Sequence, residues 1–217
     1  MRVLIAGANG HTGRILVQFL LESPDHEPVA MIRSEEQAEH FQESGAEWVL
    51  GDLEEPLDPV LEAAGRIDAF IFAAGSGSKT GPEKTLSVDR DGAIRSIAAL
   101  EAAGIQRYLM LSSLRADPGS EGHPISHYLR AKGIADAHLR RSELAWTIVR
   151  PGRLTQEPGT GQVAAAPHLE PSGEIPREDV ARVMVRCLDR PDTAGLSFDL
   201  LGGSTPIDEA LDGLAGS

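Results

Sequence analysis

Short apolar runs and stretches of helical period take turns along this chain. Residues 2–6 are a brief apolar run ending at Gly7, the pattern of a buried strand. From Thr12 the period changes. Ile15 and Phe19, then Leu16 and Leu20, recur four apart and so share a helix face. Pro24 stops that helix. Residues 29–32 form a second strand, and Ser34 opens a polar helix with Gln37 completing a capping box. Gly45 ends this helix, and a third strand over 48–50 closes on Gly51-Asp52.

Residues 67–74, followed by Gly75-Ser76-Gly77, give the clearest strand signal. Asp89 opens a long helix in which Ile94, Ile97 and Ala98 share a face, and Gly104 ends it. A fifth strand over 108–111 runs into Ser112-Ser113, a helix follows from about 126 to 141, and a sixth strand over 146–149 stops at Pro151-Gly152. Residues 179–188 read as a helix and 196–201 as a late strand. Strands that alternate with helices in this way predict βαβ units, hence an α/β fold with a Rossmann-type doubly wound parallel sheet. One domain over 1–217 is expected, with 153–175 as an irregular substrate-side extension and 202–217 as an irregular tail.

Composition narrows the partners. The 33 acids outnumber the 20 lysines and arginines, for a formal charge of −13. That excess repels a phosphate backbone, so neither nucleic acid nor an anionic membrane is expected as a partner. An anionic ligand then needs local help from helix N-termini and arginines. With Cys187 as the one cysteine, no internal disulfide forms, and its apolar neighbours mark it as a core thiol. No apolar run reaches the length of a membrane span, and the cytoplasm is the expected compartment. The histidines show no metal spacing, so no metal is expected. Apolar helix faces are compatible with a homodimer.

The chemistry starts at Gly7-Ala8-Asn9-Gly10-His11-Thr12-Gly13, a GxxGxxG loop between a strand and a helix. In such a loop the first glycine permits the tight turn, the second lets backbone approach a pyrophosphate, and the third lets helix and strand pack closely. About 20 residues past such a loop, an NAD site carries an acid for the ribose hydroxyls. Here the second strand ends instead at Arg33, whose guanidinium suits the 2′-phosphate of NADP. Arg14 is placed to share that role. NADP is therefore favoured, with NAD as the alternative. Asp52 and Leu53 sit where an acid can accept from the adenine amino group and a leucine can pack on the ring. The small residues Ala73, Ala74 and Gly75 allow backbone close to the cofactor.

Tyr128 and Lys132 lie four apart on one helix and share a face. An ammonium beside a phenol favours the phenolate and lowers its pKa, which equips Tyr128 for acid–base work. Ser113, or Ser112, ends the fifth strand at the edge where α/β folds hold ligands.

Together the glycine loop, Ser112-Ser113, Tyr128-x-x-x-Lys132 and Arg150-Pro151-Gly152 resemble the short-chain dehydrogenase/reductase superfamily. Val88-Asp89-x-x-Gly92-Ala93, Thr147 to Gly152 and Arg177-Glu178-Asp179-Val180-Ala181 resemble its atypical, NmrA-like NAD(P)-binding branch. The resemblance implies that Gly7, Gly10 and Gly13 bind the pyrophosphate with loop contacts from Asn9, His11 and Thr12. By the same resemblance Arg33 holds the adenosine end, Asp52 and Leu53 flank adenine, and Ala73, Ala74 and Gly75 line the cofactor. Ser113 would polarise the substrate oxygen, Tyr128 act as acid/base and Lys132 assist it. Pro151 and Gly152 would stand by the nicotinamide. The expected activity is hydride transfer between NADP and a small carbonyl or alcohol. Two other readings stay open: a cofactor-binding redox sensor without turnover, and a nucleotide-sugar epimerase or dehydratase.

Overall fold

The computed structural model describes residues 1–77, 80–170 and 172–216. Six strands lie in parallel in the order 3-2-1-4-5-6: β1 (Arg2–Ala6), β2 (Glu27–Ile32), β3 (Glu47–Leu50), β4 (Ala69–Phe72), β5 (Arg107–Leu111) and β6 (Ala145–Pro151). This is the doubly wound order expected from the alternation of periods, and it places a crevice between β1 and β4, where the winding reverses. Past β6 come β7 (Arg153–Thr155), β8 (Gln162–Ala166) and β9 (Glu174–Pro176). β7 and β9 form a small parallel sheet of their own. β10 (Leu196–Gly202) extends the main sheet parallel to β6, and β8 and then β11 (Thr205–Pro206) close its edge antiparallel.

The strands bury both faces. Val3 and Ile5 of β1 and Ile71 of β4 point into one core with Leu16 and Leu20 of α1 (His11–Glu22). Leu4, Phe70 and Phe72 point into the other core with Ile97 and Leu100. Period two along each strand thus feeds two layers of helices. The first layer holds α1 and α2 (Ala38–Ser44), the second α3 (Asp58–Ala64), and between them they cover β1 to β4. Burial pushes the Cys187 thiol up to about 12, so it behaves as the core group expected.

Four expectations need correction. Ser34 does not start an α-helix: a 3-10 turn, Glu35–Gln37, precedes α2, and the Gln37 side chain accepts from the Arg33 N–H at 3.1 Å, so no capping box forms. Asp89 lies inside its helix, not at the start. That helix begins at Pro82, runs through α4 (Pro82–Thr85) and a π-helical segment, Leu86–Gly92, and continues as α5 (Ala93–Ala103). Residues 153–175 are not irregular throughout: they hold β7, β8 and the start of β9. Their Gly, Pro and Ala are weak strand formers, but pairing with β10 and between β7 and β9 overrides propensity. The tail forms a helix, α8 (Ile207–Ala215), with Ile207, Ala210, Leu211 and Leu214 buried. Its helical spacing was present in the sequence beneath the acidic residues.

Helices α6 (Ser126–Leu139) and α7 (Arg177–Leu188) complete the layers. Among the described residues no helix is long and apolar enough to cross a membrane.

The β1–α1 turn tolerates no side chain at its last glycine. A Cβ on Gly13 would sit 2.2 Å from the Gly7 carbonyl oxygen and 2.7 Å from that of Ala8. Both are backbone atoms, so nothing nearby can swing away. We expect Gly13→Ala to destabilise the protein by about 3 kcal/mol, the upper end for overpacking, read as a lower urea midpoint. An unshifted midpoint would show that the turn relaxes.

Candidate functional site

A cleft of about 450 Å³ opens at the carboxyl ends of the first five strands. Its walls carry the sequence-selected residues Gly7, Asn9, Gly10, His11 and Thr12 after β1, Arg33 after β2, and Asp52 and Leu53 after β3. Ala73, Ala74 and Gly75 follow from β4, and Tyr128 and Lys132 from α6. Gly13 lies beneath this surface in the packed turn. Gly7 has φ +81°, and a Cβ there would meet Ala74 backbone at 2.6 Å, so the floor of the cleft is glycine by necessity.

Helix α1 starts at this floor with no side-chain cap on Gly10 and no acid in its first turn. The N–H groups of His11, Thr12 and Gly13 therefore find no partner within the helix. Free donors at the positive end of a twelve-residue helix fit a pyrophosphate. Arg33 is exposed at the rim, and its guanidinium makes no hydrogen bond or ion pair among the described residues. Arg14 is occupied differently: its Nη2 donates to Asn9 Oδ1 at 2.7 Å, and it does not line the cleft. Asp52 closes its own turn, with Oδ1 accepting from Glu54 N–H at 3.0 Å, while still facing the cleft.

The inner end of the cleft holds a buried charge cluster. Lys132 is 2% exposed. Its Nζ donates to the carbonyls of Ala74 at 3.1 Å and Leu111 at 3.2 Å, and lies 3.4 Å from Asp89 Oδ1. Burial alone would lower the Lys132 pKa, yet the nearby Asp89, Tyr128 and Asp136 outweigh it, and the net direction is up. The lysine stays charged. Asp89 is fully buried, and its Oδ2 accepts from Ser76 N–H at 2.9 Å. Asp136, four residues past Lys132, is paired with Arg150 at 2.8 Å, but burial still pushes its carboxyl above the usual range.

Tyr128 differs from expectation. Lys132 does pull its pKa down, but desolvation of the hydroxyl is the larger effect and the net shift is upward. Ser113 eases the same hydroxyl in the opposite direction. Ser112 and Ser113 part company: Ser112 lines the first cleft, its buried hydroxyl beside the Asp136 carboxyl that it helps to keep ionised, whereas Ser113 lines a second cleft.

That second cleft, of about 590 Å³, adjoins the first. Tyr128 and Leu154 stand on the wall common to both. Pro151 and Gly152 line the second cleft and not the first. Arg115 lines it too, at φ +66°, the one non-glycine residue with positive φ among those described. A left-handed conformation there costs about 1–3 kcal/mol.

Sequence reasoning did not single out Asp89, Arg115 or Arg177 for this site. A signal for Asp89 existed: Thr85, Val88, Asp89 and Gly92 fall on one buried helical stripe, and an acid on such a stripe needs a buried partner. Arg177 donates to the carbonyls of Leu154 at 3.2 Å and Thr155 at 3.0 Å, fixing the shared wall.

An uncapped helix start over a glycine floor, at the switch point of a doubly wound sheet, defines a dinucleotide-binding α/β protein. The chain belongs to the NAD(P)H-binding family, whose model matches residues 7–191. The resemblance drawn from the sequence motifs holds at that level. A Bacillus subtilis (strain 168) protein named "Uncharacterized sugar epimerase YhfK" is 46% identical over 212 residues, covering 97% of this chain and 99% of its own. A solved structure from Bacillus halodurans, named "Putative NAD-dependent epimerase/dehydratase", superposes with TM-score 0.92 at 44% identity, covering 99% of this chain and 100% of that one. The oxidoreductase ylbE from Lactococcus lactis superposes with TM-score 0.87 at 27% identity, over 100% and 98%.

The Lys132–Asp89 pair can be dissected by stability alone. Asp89→Ala strands a buried ammonium, and we expect it to lower stability by about 3–5 kcal/mol. Adding Lys132→Met should recover more than half of that loss. Urea denaturation of the two variants checks both, and additive losses would mean that the pair is not coupled.

Proposed function

We propose that the chain is an NADP-dependent oxidoreductase that interconverts a small carbonyl and its alcohol. The observation that carries this reading is the place of Tyr128, on the wall between the two clefts with charged Lys132 behind it and Ser113 beside it. When bound, the dinucleotide supplies the hydride, and with it both electrons, to the carbonyl carbon. The chain supplies the rest. His11 and Thr12 hold the pyrophosphate through backbone N–H groups, with Gly7 and Gly10 allowing the approach, Gly13 packing the helix close beneath them and Asn9 at the rim. Asp52 and Leu53 flank adenine, and Ala73, Ala74 and Gly75 let the cofactor lie against backbone. Ser113 orients the substrate oxygen, and Pro151 and Gly152 shape the far side.

Tyr128 then completes the balance by giving its proton to the carbonyl oxygen. Its raised pKa suits this direction, because the phenol keeps its proton at neutral pH. The Lys132 ammonium stabilises the phenolate that remains until solvent reprotonates it.

The choice of NADP rests on Arg33, unpaired at the rim where a 2′-phosphate would lie. Arg33→Ala should weaken NADPH binding about 10- to 100-fold, the worth of a charge-assisted hydrogen bond, and NADH binding less than about 3-fold. Titration of nicotinamide fluorescence measures both. Equal losses for the two cofactors would leave NAD as the ligand.

For turnover, Tyr128→Phe should cut NADPH consumption with a carbonyl panel by about 100-fold or more while cofactor affinity holds. The reduction rate should stay level through neutral pH and fall only as pH climbs beyond the ordinary tyrosine value of about 10. The proton donor is lost as pH rises through its raised pKa. Turnover indifferent to Tyr128→Phe would sink this mechanism, and cofactor binding with no turnover would favour a redox sensor.

A second reading draws support from the epimerase and dehydratase names of two relatives. It requires oxidised cofactor retained through the catalytic cycle, so it predicts NAD released on denaturing the purified protein.

A further inference from the structure

We infer that the second cleft takes an anionic substrate, a carbonyl or alcohol bearing a carboxylate or phosphate, and that Arg115 holds that anion. The inference rests on the oxidoreductase reading for the role of the cleft, but not for the binding of the anion. It starts from a backbone anomaly. Ser113, Leu114, Arg115 and Ala116 make a tight turn, closed by Ala116 N–H donating to the Ser113 carbonyl at 3.0 Å. Arg115 occupies its third position at φ +66°, where a turn of this kind selects glycine or asparagine. An arginine held there against its backbone preference points to a role for its side chain, because such strain gathers at ligand sites.

The side chain is free to do this work. Arg115 is exposed, lines the second cleft, and makes no hydrogen bond or ion pair among the described residues. The neighbouring cation on that cleft, Arg153, is already neutralised: its Nε donates to Glu174 Oε1 at 2.9 Å. Glu174 is the carboxylate on the same wall, and it is spent on Arg153. Arg115 therefore presents an uncompensated positive charge in a chain whose net charge is −13. An anion approaching this protein is repelled at long range and needs a local cation to bind.

Placement makes the charge specific. Leu114 N–H donates to the Pro151 carbonyl at 2.8 Å and Asp117 N–H to the Leu129 carbonyl at 3.1 Å. The backbone is thus pinned on both sides of Arg115, to the end of β6 and to α6. The arginine stands two residues beyond Ser113, and its cleft shares a wall with Tyr128. A planar guanidinium pairs two-pronged with either a carboxylate or a phosphate. A small substrate held this way has its anionic end on Arg115 and its oxygen at Ser113 and Tyr128.

The test compares pairs that share the reacting carbonyl and differ in the anionic group, with Arg115 variants as the control for reactivity and size. Pyruvate is set against methyl pyruvate, and dihydroxyacetone phosphate against dihydroxyacetone, with NADPH consumption followed by absorbance. We expect the anionic member of at least one pair to be preferred in kcat/KM by about 10- to 100-fold, as charge-assisted hydrogen bonds imply. Which pair shows it separates carboxylate from phosphate. Arg115→Gln should collapse that preference to within about 3-fold, and Arg115→Lys, which keeps the charge but not the fork, should retain part of it. Arg115→Gly, relieved of its left-handed strain, should melt higher than wild type while losing the same preference.

A wild type that prefers the neutral members, or an Arg115→Gln variant that keeps the anionic preference, overturns the inference and leaves the oxidoreductase reading intact. If wild type turns over neither pair, calorimetric titration of the NADP-saturated protein with pyruvate and with dihydroxyacetone phosphate decides. Binding lost in Arg115→Gln upholds the anion site and rejects the catalytic reading for these carbonyls. No binding of either anion overturns the site.

Discussion

One buried ammonium organises the inner end of this molecule. Lys132 reaches from α6 to the carbonyls of Ala74, just past β4, and Leu111, at the end of β5, with Asp89 from the π-helical turn as counter-charge. A buried pair of this kind adds little net stability, because desolvation of both charges offsets their attraction. Its effect is on geometry. An ammonium that has given up water must keep all of its partners within reach, so two strand ends and two helices hold a fixed relation. The first cleft is the space bounded by those strand ends, and its shape follows from that constraint.

The glycine turn imposes the complementary constraint from the other side. Gly7 and Gly13 let three backbone segments lie closer than any side chain allows, so the floor of the cleft is main chain with unspent N–H donors. Charge sits at one end of the groove and bare backbone at the other. Between them lie the small residues at 73–75, whose lack of bulk keeps the groove continuous. The adjoining cleft is built on later parts of the chain, from the turn after β5, from α6 and from the end of β6 onward, and among the described residues it shares Tyr128 and Leu154 with the first.

The parallel sheet was legible because buried strands such as 69–72 are unbroken apolar runs between helical periods. The glycine floor was legible because the spacing of three glycines has a steric meaning that survives without coordinates. What escaped was set by partners distant in sequence. β8 reads Gln-Val-Ala-Ala-Ala and becomes a strand only because β10 offers it an edge. The net pKa of Tyr128 depends on how deeply its hydroxyl is buried, which a four-residue spacing to Lys132 cannot reveal. Asp89 looked like the start of a helix because acids favour that position, whereas the true start is Pro82. Arg115 gave no sign at all, since a positive φ is a property of the folded turn.

The first three side chains of α7 act on a single stretch of chain. Arg177 holds the carbonyls of Leu154 and Thr155, Glu178 accepts from Gly159 N–H at 2.8 Å, and Asp179 accepts from Thr160 N–H at 2.9 Å and Gly161 N–H at 2.8 Å. The wall between the clefts is thereby fastened at its base by one helix, independently of whatever lies between Gly161 and Glu174. Such an arrangement separates anchorage from variation. From the intervening segment, Ser172 and Gly173 line the second cleft, while the wall between the clefts keeps its own anchors on α7. The fold thus gives the shared wall a footing separate from the residues that complete the second cleft.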